Sequence, residues 1–192
     1  MDLTSITPSG TALKALGHPV RIRILGLLRM DGPATATSLA TRLGLNTGAT
    51  SYHLRQLAQH GFIVEDDQRG NARDRWWAAA HQSTHTGRQE PPDDAGREAL
   101  DAYLQSVAVF YIENVQRAIE ERPIVPDEWR QASEFSDWVL TLTPKRAVAV
   151  LDAISAVVDD VDDEDGDEDA AAFTIQLQAF PRPGTVARED LT

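Results

Sequence analysis

The chain has 192 residues, 42 % of them apolar, and a formal net charge of −12, the make-up of a globular protein of one domain or two small ones rather than of a disordered chain. It contains no cysteine, which excludes disulfide scaffolds, thiolate nucleophiles and cysteine-based metal sites. No apolar run approaches the roughly 18 residues of a membrane span, and the start "MDLTSITPSG" has no basic region followed by an apolar core, so a cytoplasmic protein with no membrane partner is expected.

Taken in chain order, "TPSGTALKAL" (7–16) predicts a short helix that Gly17 ends as a left-handed stop. His18 then caps a second helix with Pro19 as its first residue, and Ile22, Ile24, Leu25, Leu27 and Leu28 give it a broad apolar stripe to about Met30. After the break "DGP" (31–33), Thr37 to Leu43 reads as a short helix with Leu39, Ala40 and Leu43 inward. Gly44 turns the chain, and Asn46 caps a further helix that ends at Gly61. The stretch "FIVEDDQRGNARDRWWAA" holds two extended runs around Gly70-Asn71, a hairpin turn signal. Residues 81–94, polar and with a Pro-Pro pair, read as a linker.

From Ala95 to about Glu121 a long helix follows, whose apolar stripe is too wide for one partner. Beyond it "FSDWVLTL" alternates as a strand, Thr143 and Pro144 start another helix, an acidic run fills 159–169, and "FTIQLQAF" alternates as a last strand. The expected fold is mainly α (α+β): a helical domain ending in a hairpin over 1–80, the linker 81–94, and a long helix with a small α+β region over 95–192.

Charge follows the same division. Residues 1–80 hold nine Lys/Arg against six Asp/Glu (+3), and residues 81–192 hold nine against twenty-four (−15). A uniformly acidic surface of the halophile type would not spare the first 80 residues.

In the helix after Asn46, Leu54, Leu57 and Ala58 share one stripe, while Thr47, Ser51, Tyr52, Arg55, Gln56 and Gln59 look the other way. No Asp or Glu occurs between Asp31 and Glu65. Two helices joined by a tight glycine turn and followed by a hairpin have the spacing of a winged helix-turn-helix. In that motif the second helix enters the major groove, where neutral donors and acceptors and a bidentate Arg read base edges and a carboxylate would be repelled by phosphates. A solvated helix face is the plain alternative for Thr47, Ser51, Tyr52, Arg55 and Gln56, and the flanking hairpin favours DNA. Arg69, Arg73 and Arg75 sit around the hairpin tip, suited to phosphates or a narrow minor groove. Glu65, Asp66 and Asp67 must pair with them or point away. His53 faces either DNA or the first helix.

The segments "LKALGHPVRIRILGLL", "TATSLATRLGLNTGATSYHLRQLAQHGFIV" and "RGNARDRWWAA" resemble the ArsR-type winged helix-turn-helix repressors over about residues 11–80. The resemblance implies a homodimeric DNA-binding transcriptional regulator, usually a repressor released by a ligand, that dimerises through terminal helices; the helix 95–121 is the candidate here. Metal and arsenic sensors of that family use cysteines or His/Asp clusters, and the lack of cysteine excludes thiolate sensing. A small-molecule effector stays open.

Tyr103, Phe110, Tyr111, Trp129 and Trp138 are the candidates for lining a small-molecule pocket between the long helix and the C-terminal strands, with ordinary core as the alternative. Of Trp76 and Trp77, neighbours on a strand, one must be core. His81 and His85, four apart, would make a metal pair on a helix, but their segment reads as linker and no third ligand is near. The acidic run has Val161 and Ala172 where a calcium loop needs ligands, so it reads as a solvated loop. No phosphate-cradling loop, nucleophile elbow or His-carboxylate motif occurs, so neither enzyme activity, cofactor nor metal is expected. The rival reading is a winged-helix protein-interaction or small-molecule-sensing module with little direct DNA binding, its acidic tail occupying or repelling the DNA site.

Overall fold

The structure is a computed structural model that describes residues 4–8, 10–69, 74–86, 93–162, 164 and 166–186. In chain order it runs β1 (Ser5–Ile6), α1 (Gly10–Leu16), α2 (Pro19–Met30), β2 (Ala34–Thr35), α3 (Ala36–Leu43), α4 (Thr47–Gln59), β3 (Ile63–Glu65), β4 (Trp76–Ala79), β5 (Ser83–Thr84), α5 (Asp94–Glu121), a 3-10 turn (Arg122–Ile124), α6 (Asp127–Ala132) and α7 (Pro144–Asp159). The fold is mainly helical, with a winged helix-turn-helix region followed by a long helix.

Local chemistry sets the helix starts. His18 caps α2, its Nδ1 accepting from the Val20 N–H at 3.2 Å, and Pro19 opens the first turn. Thr35 and Ser38 form a reciprocal capping box on α3. Gly44, at φ 65°, supplies the left-handed turn between α3 and α4, and the Asn46 side chain accepts from the Ala49 N–H at 2.8 Å. Asp93 caps α5 in the same way through Gly96.

These helices close over one core. Leu16, Ile24, Leu39, Leu54, Leu57, Phe62 and Ile63 are fully buried, with Leu13, Leu25, Leu28 and Trp77 around them. Sheet β2-β4-β3 is antiparallel, with Ala34 opposite Trp77 and Ile63 opposite Ala79. Trp77 is the core tryptophan; Trp76 is half-buried. Helix α5 packs on α1 and α2 through Ala99, Tyr103 and Ser106, and a bidentate ion pair from Arg23 to Glu113 ties it to α2.

Three expectations need correction. Gly17 is not a left-handed stop, since it is absent from the positive-φ glycines. It is small because α5 crosses there: a β-carbon on it would stand 3.2 Å from Ala102 Cβ, and Ser106 Oγ donates to its carbonyl at 3.0 Å.

The segment 81–86, expected to be linker, is a packed element. β5 runs parallel to β1, with Ser5 opposite Ser83 and Ile6 opposite Thr84. Arg29 at the end of α2 donates to the His81 carbonyl and to Thr84 Oγ1, each at 2.8 Å. Extended backbone also removes the helical spacing that a His81/His85 metal pair would need.

Residues 135–142 and 173–180 alternate in sequence yet form no strand. Alternation supplies a face, but a strand also needs a partner backbone, and neither segment finds one among the described residues. Their apolar side chains are accordingly exposed: Trp138 is 78 % and Ile175 62 % accessible. Helix α7 likewise buries no residue. No helix among the described residues is long and apolar enough to cross a membrane.

Candidate nucleic-acid interface

Helix α4 is seated by its inner face. Thr50, Leu54 and Leu57 are buried, packed towards α2 and α3, and Thr50 Oγ1 donates to the Asn46 carbonyl at 3.1 Å, which removes the cost of burying a hydroxyl. That seating fixes which residues look out. Thr47, Tyr52, Arg55 and Gln59 are exposed, with Ser51 and Gln56 half-buried at the flanks. Arg55 makes no ion pair among the described residues, so its guanidinium is available for a bidentate contact.

His53 faces inward to the first turn of α2. Its ring lies 4.6 Å from that of His18, and Tyr52 packs edge-on against it at 5.5 Å. Burial, and then the nearby His18 and Arg21, hold the His53 imidazole below its ordinary pKa. His18 is depressed for the same reasons, burial first and Arg21 second.

The wing resolves the conflict between its charges by pairing them. Glu65 meets Arg75 Nε at 3.0 Å, and Asp66 meets Arg69 Nε at 3.6 Å. The Arg75 guanidinium also sits 5.7 Å over the Trp77 ring. Arg73 lies outside the described residues.

The five aromatic candidates do not converge. Tyr103 is core, Phe110 packs against the core, and Tyr111 is half-buried beside Phe110 at 6.3 Å. Burial pushes the Tyr103 hydroxyl up to about 12. Trp129 instead stacks on Phe173 at 6.2 Å, and Trp138 is in solvent. A shallow groove of about 430 Å³ runs along α7, lined by Ala149, Val150, Ala153, Ile154 and Val157 among others, and it includes none of the five. Among the described residues no group of three or more His, Asp or Glu is arranged to hold a metal.

Sequence reasoning missed Arg21 and His18 as members of the α4 surface. The available signal was the lack of any carboxylate across both helices, a pattern applied to α4 alone.

The helix-turn-helix segment has relatives among known proteins. Residues 16–66 match a family model described as a helix-turn-helix domain. Over 66 residues the chain is 36 % identical to the HTH-type transcriptional regulator NmtR of Mycobacterium tuberculosis, a match that covers 34 % of this chain and 54 % of that protein. The chain thus spans about half the length of the curated relative it matches. Among solved structures it is similar to the Lactococcus lactis ZitR C30AH42A mutant in apo form, at 14 % identity and TM-score 0.32, covering 72 % of this chain and 81 % of that one. It is also similar to the adhesin competence repressor AdcR of Streptococcus pyogenes, at 13 % identity and TM-score 0.32, covering 73 % and 78 %.

Proposed function

We propose that this chain, whose residues 16–66 are a helix-turn-helix domain resembling the ArsR type, is a homodimeric, sequence-specific DNA-binding transcriptional regulator of repressor type. The observation that carries the reading is the outer face of α4. It presents Thr47, Tyr52, Arg55 and Gln59, flanked by Ser51 and Gln56, and no carboxylate lies on the helix at all. A face that reads base edges between two phosphate strands needs that composition.

The dimer reading rests on α5. Leu104, Ile112, Val115 and Ile119 are exposed and share one side of the helix, opposite the side that Ala99, Tyr103 and Ser106 bury. A twofold partner on this stripe would carry two copies of α4, and a spacing near 34–36 Å would let both enter successive major grooves. An effector that changes that spacing would release the DNA; even a tenfold preference for one geometry amounts to about 1.4 kcal/mol.

The test is recovery of bound fragments from a genomic pool at two salt concentrations. A twofold-symmetric site whose occupancy falls steeply with salt is expected, because each neutralised phosphate adds about −0.9 to the logarithmic salt slope. Recovery of no enriched sequence would overturn the DNA reading.

A further inference from the structure

His18, Arg21 and His53 form a cationic cluster that the reading face of α4 does not use. The first two belong to the start of α2 and the third to α4, and the two imidazoles are 4.6 Å apart. Among the described residues no carboxylate pairs with them. From residue 3 to residue 64 the only carboxylate is Asp31, and it pairs with Arg42. The charged and titratable groups facing His53 are His18 and Arg21, with Tyr52 beside its ring; α1 and α3 contribute no acidic residue, and Glu65, at the end of the β3 strand that also packs on α4, pairs with Arg75. Arg21 Nε and His53 Nδ1 are both removed from solvent and have no hydrogen-bond partner.

Three groups that are cationic or able to become so, two of them with a buried nitrogen that has no partner, and with no counter-charge beside them among the described residues, make a site that lacks an anion. The exposed Tyr52 joins this cluster directly to the outward face of α4, so the anion would lie at the border of the reading helix, where the DNA backbone flanks a major groove.

We propose that Arg21, His18 and His53 form a clamp for a backbone phosphate of the bound DNA, and that His53 takes up a proton when the phosphate seats. The proposal rests on the DNA-binding reading above. The division of labour follows from the hydrogen bonds. His18 Nδ1 is occupied as the acceptor of the α2 cap, so a neutral His18 carries its proton on Nε2 and donates from there. Protonating His18 would break the cap. His53 has no such bond to lose, and burial beside His18 and Arg21 disfavours its charged form in the free protein. A phosphate reverses that balance by placing a negative charge against both rings. DNA binding and proton uptake are then linked, and the clamp grips more tightly as pH falls.

The experiment uses the full chain and a fluorescein-labelled random-sequence duplex of about two helical turns, followed by anisotropy at constant ionic strength from about pH 8 to about pH 6. For wild type, affinity should rise on acidification, approaching a limit of about tenfold per pH unit for one proton. His53→Gln should bind with that pH dependence flattened, and Arg21→Gln should reduce the salt slope by about 0.9. Histidine ring NMR on the unmutated chain provides a reading that needs no variant: the His53 titration midpoint should move up on adding duplex. An unmoved midpoint, or equal pH dependence in wild type and His53→Gln with binding intact, overturns the clamp and leaves the DNA reading standing. A response to inorganic phosphate equal to that of the duplex, per phosphate, overturns the DNA backbone as its ligand. No binding of duplex at any pH or salt overturns the clamp and the DNA reading together.

Discussion

The Phe110 ring of α5 covers the point where a β-carbon on Gly26 of α2 would stand, its Cε2 only 2.8 Å from that point and Cζ closer still. The glycine therefore sets how near the long helix comes to the helix-turn-helix domain. In an open helix Gly→Ala gains about 1 kcal/mol from propensity alone. At residue 26 the sign should reverse, because the added methyl group must displace Phe110, at a cost of about 1–3 kcal/mol. Denaturant unfolding of Gly26→Ala, alone and with Phe110→Ala, checks this. The alanine should destabilise the wild type and be neutral or stabilising once the ring is gone, and additive effects would show that the two residues do not interact.

Tyr103 gives the stability a defined alkaline limit. Its hydroxyl is pushed up to about 12 by burial, with Tyr111 next in effect and Arg29 opposing. An unfolded chain ionises the same group near pH 10, so between about pH 10 and pH 12 the unfolded state holds fewer protons and stability falls as pH rises. Two pKa units correspond to roughly 2–3 kcal/mol. Tyr103→Phe should remove that part of the alkaline loss in unfolding midpoints measured against pH, while Tyr111, displaced in the same direction by burial, keeps its own share.

Where structure is local, the sequence was a sufficient guide. The caps at His18 and Asn46, the Gly44 turn and the inward Leu54 and Leu57 depend on neighbours within a few residues, and each occurs as the spacing implies. The reading failed where the determinant was distant. Gly17 is small because α5 crosses it, and Ser83–Thr84 is a strand because Ser5–Ile6 lies beside it. The same limit applies to the site. The outward face of α4 is a property of one helix and was legible, whereas the His18–His53 contact joins residues 35 positions apart in sequence and leaves no periodic trace. Residues 135–142 and 173–180 are the reverse case, with a local pattern and no partner strand among the described residues to complete it.

A charge on the outer stripe of α5 separates packing within the chain from packing between chains. Ile112 is 57 % exposed, so Ile112→Glu in a monomer should change stability by no more than about 0.5 kcal/mol. At the centre of a dimer interface the same change buries an unpaired carboxylate. Sedimentation velocity should show a wild-type dimer that the variant converts to a folded monomer. An unchanged sedimentation coefficient would remove α5 from the dimer interface.

Arg55 should discriminate between bases. A bidentate contact contributes about 1–3 kcal/mol of discrimination, so Arg55→Ala should weaken binding to the recovered site more than binding to random duplex. Equal losses on both would make it a phosphate contact instead.

Glu65 restrains the wing. It pairs with Arg75 at 3.0 Å, yet both side chains are well exposed, and an exposed pair contributes only about 0–1 kcal/mol. Glu65→Gln should therefore leave the unfolding midpoint nearly unchanged. It frees the guanidinium and removes a carboxylate that phosphates repel, so affinity for random duplex should rise. The salt slope should steepen by about 0.9 for one added phosphate contact. The rise should depend on Arg75: in an Arg75→Ala background Glu65→Gln should lose the steeper slope, and if the slope persists there, the gain comes from relieved repulsion rather than from a released arginine.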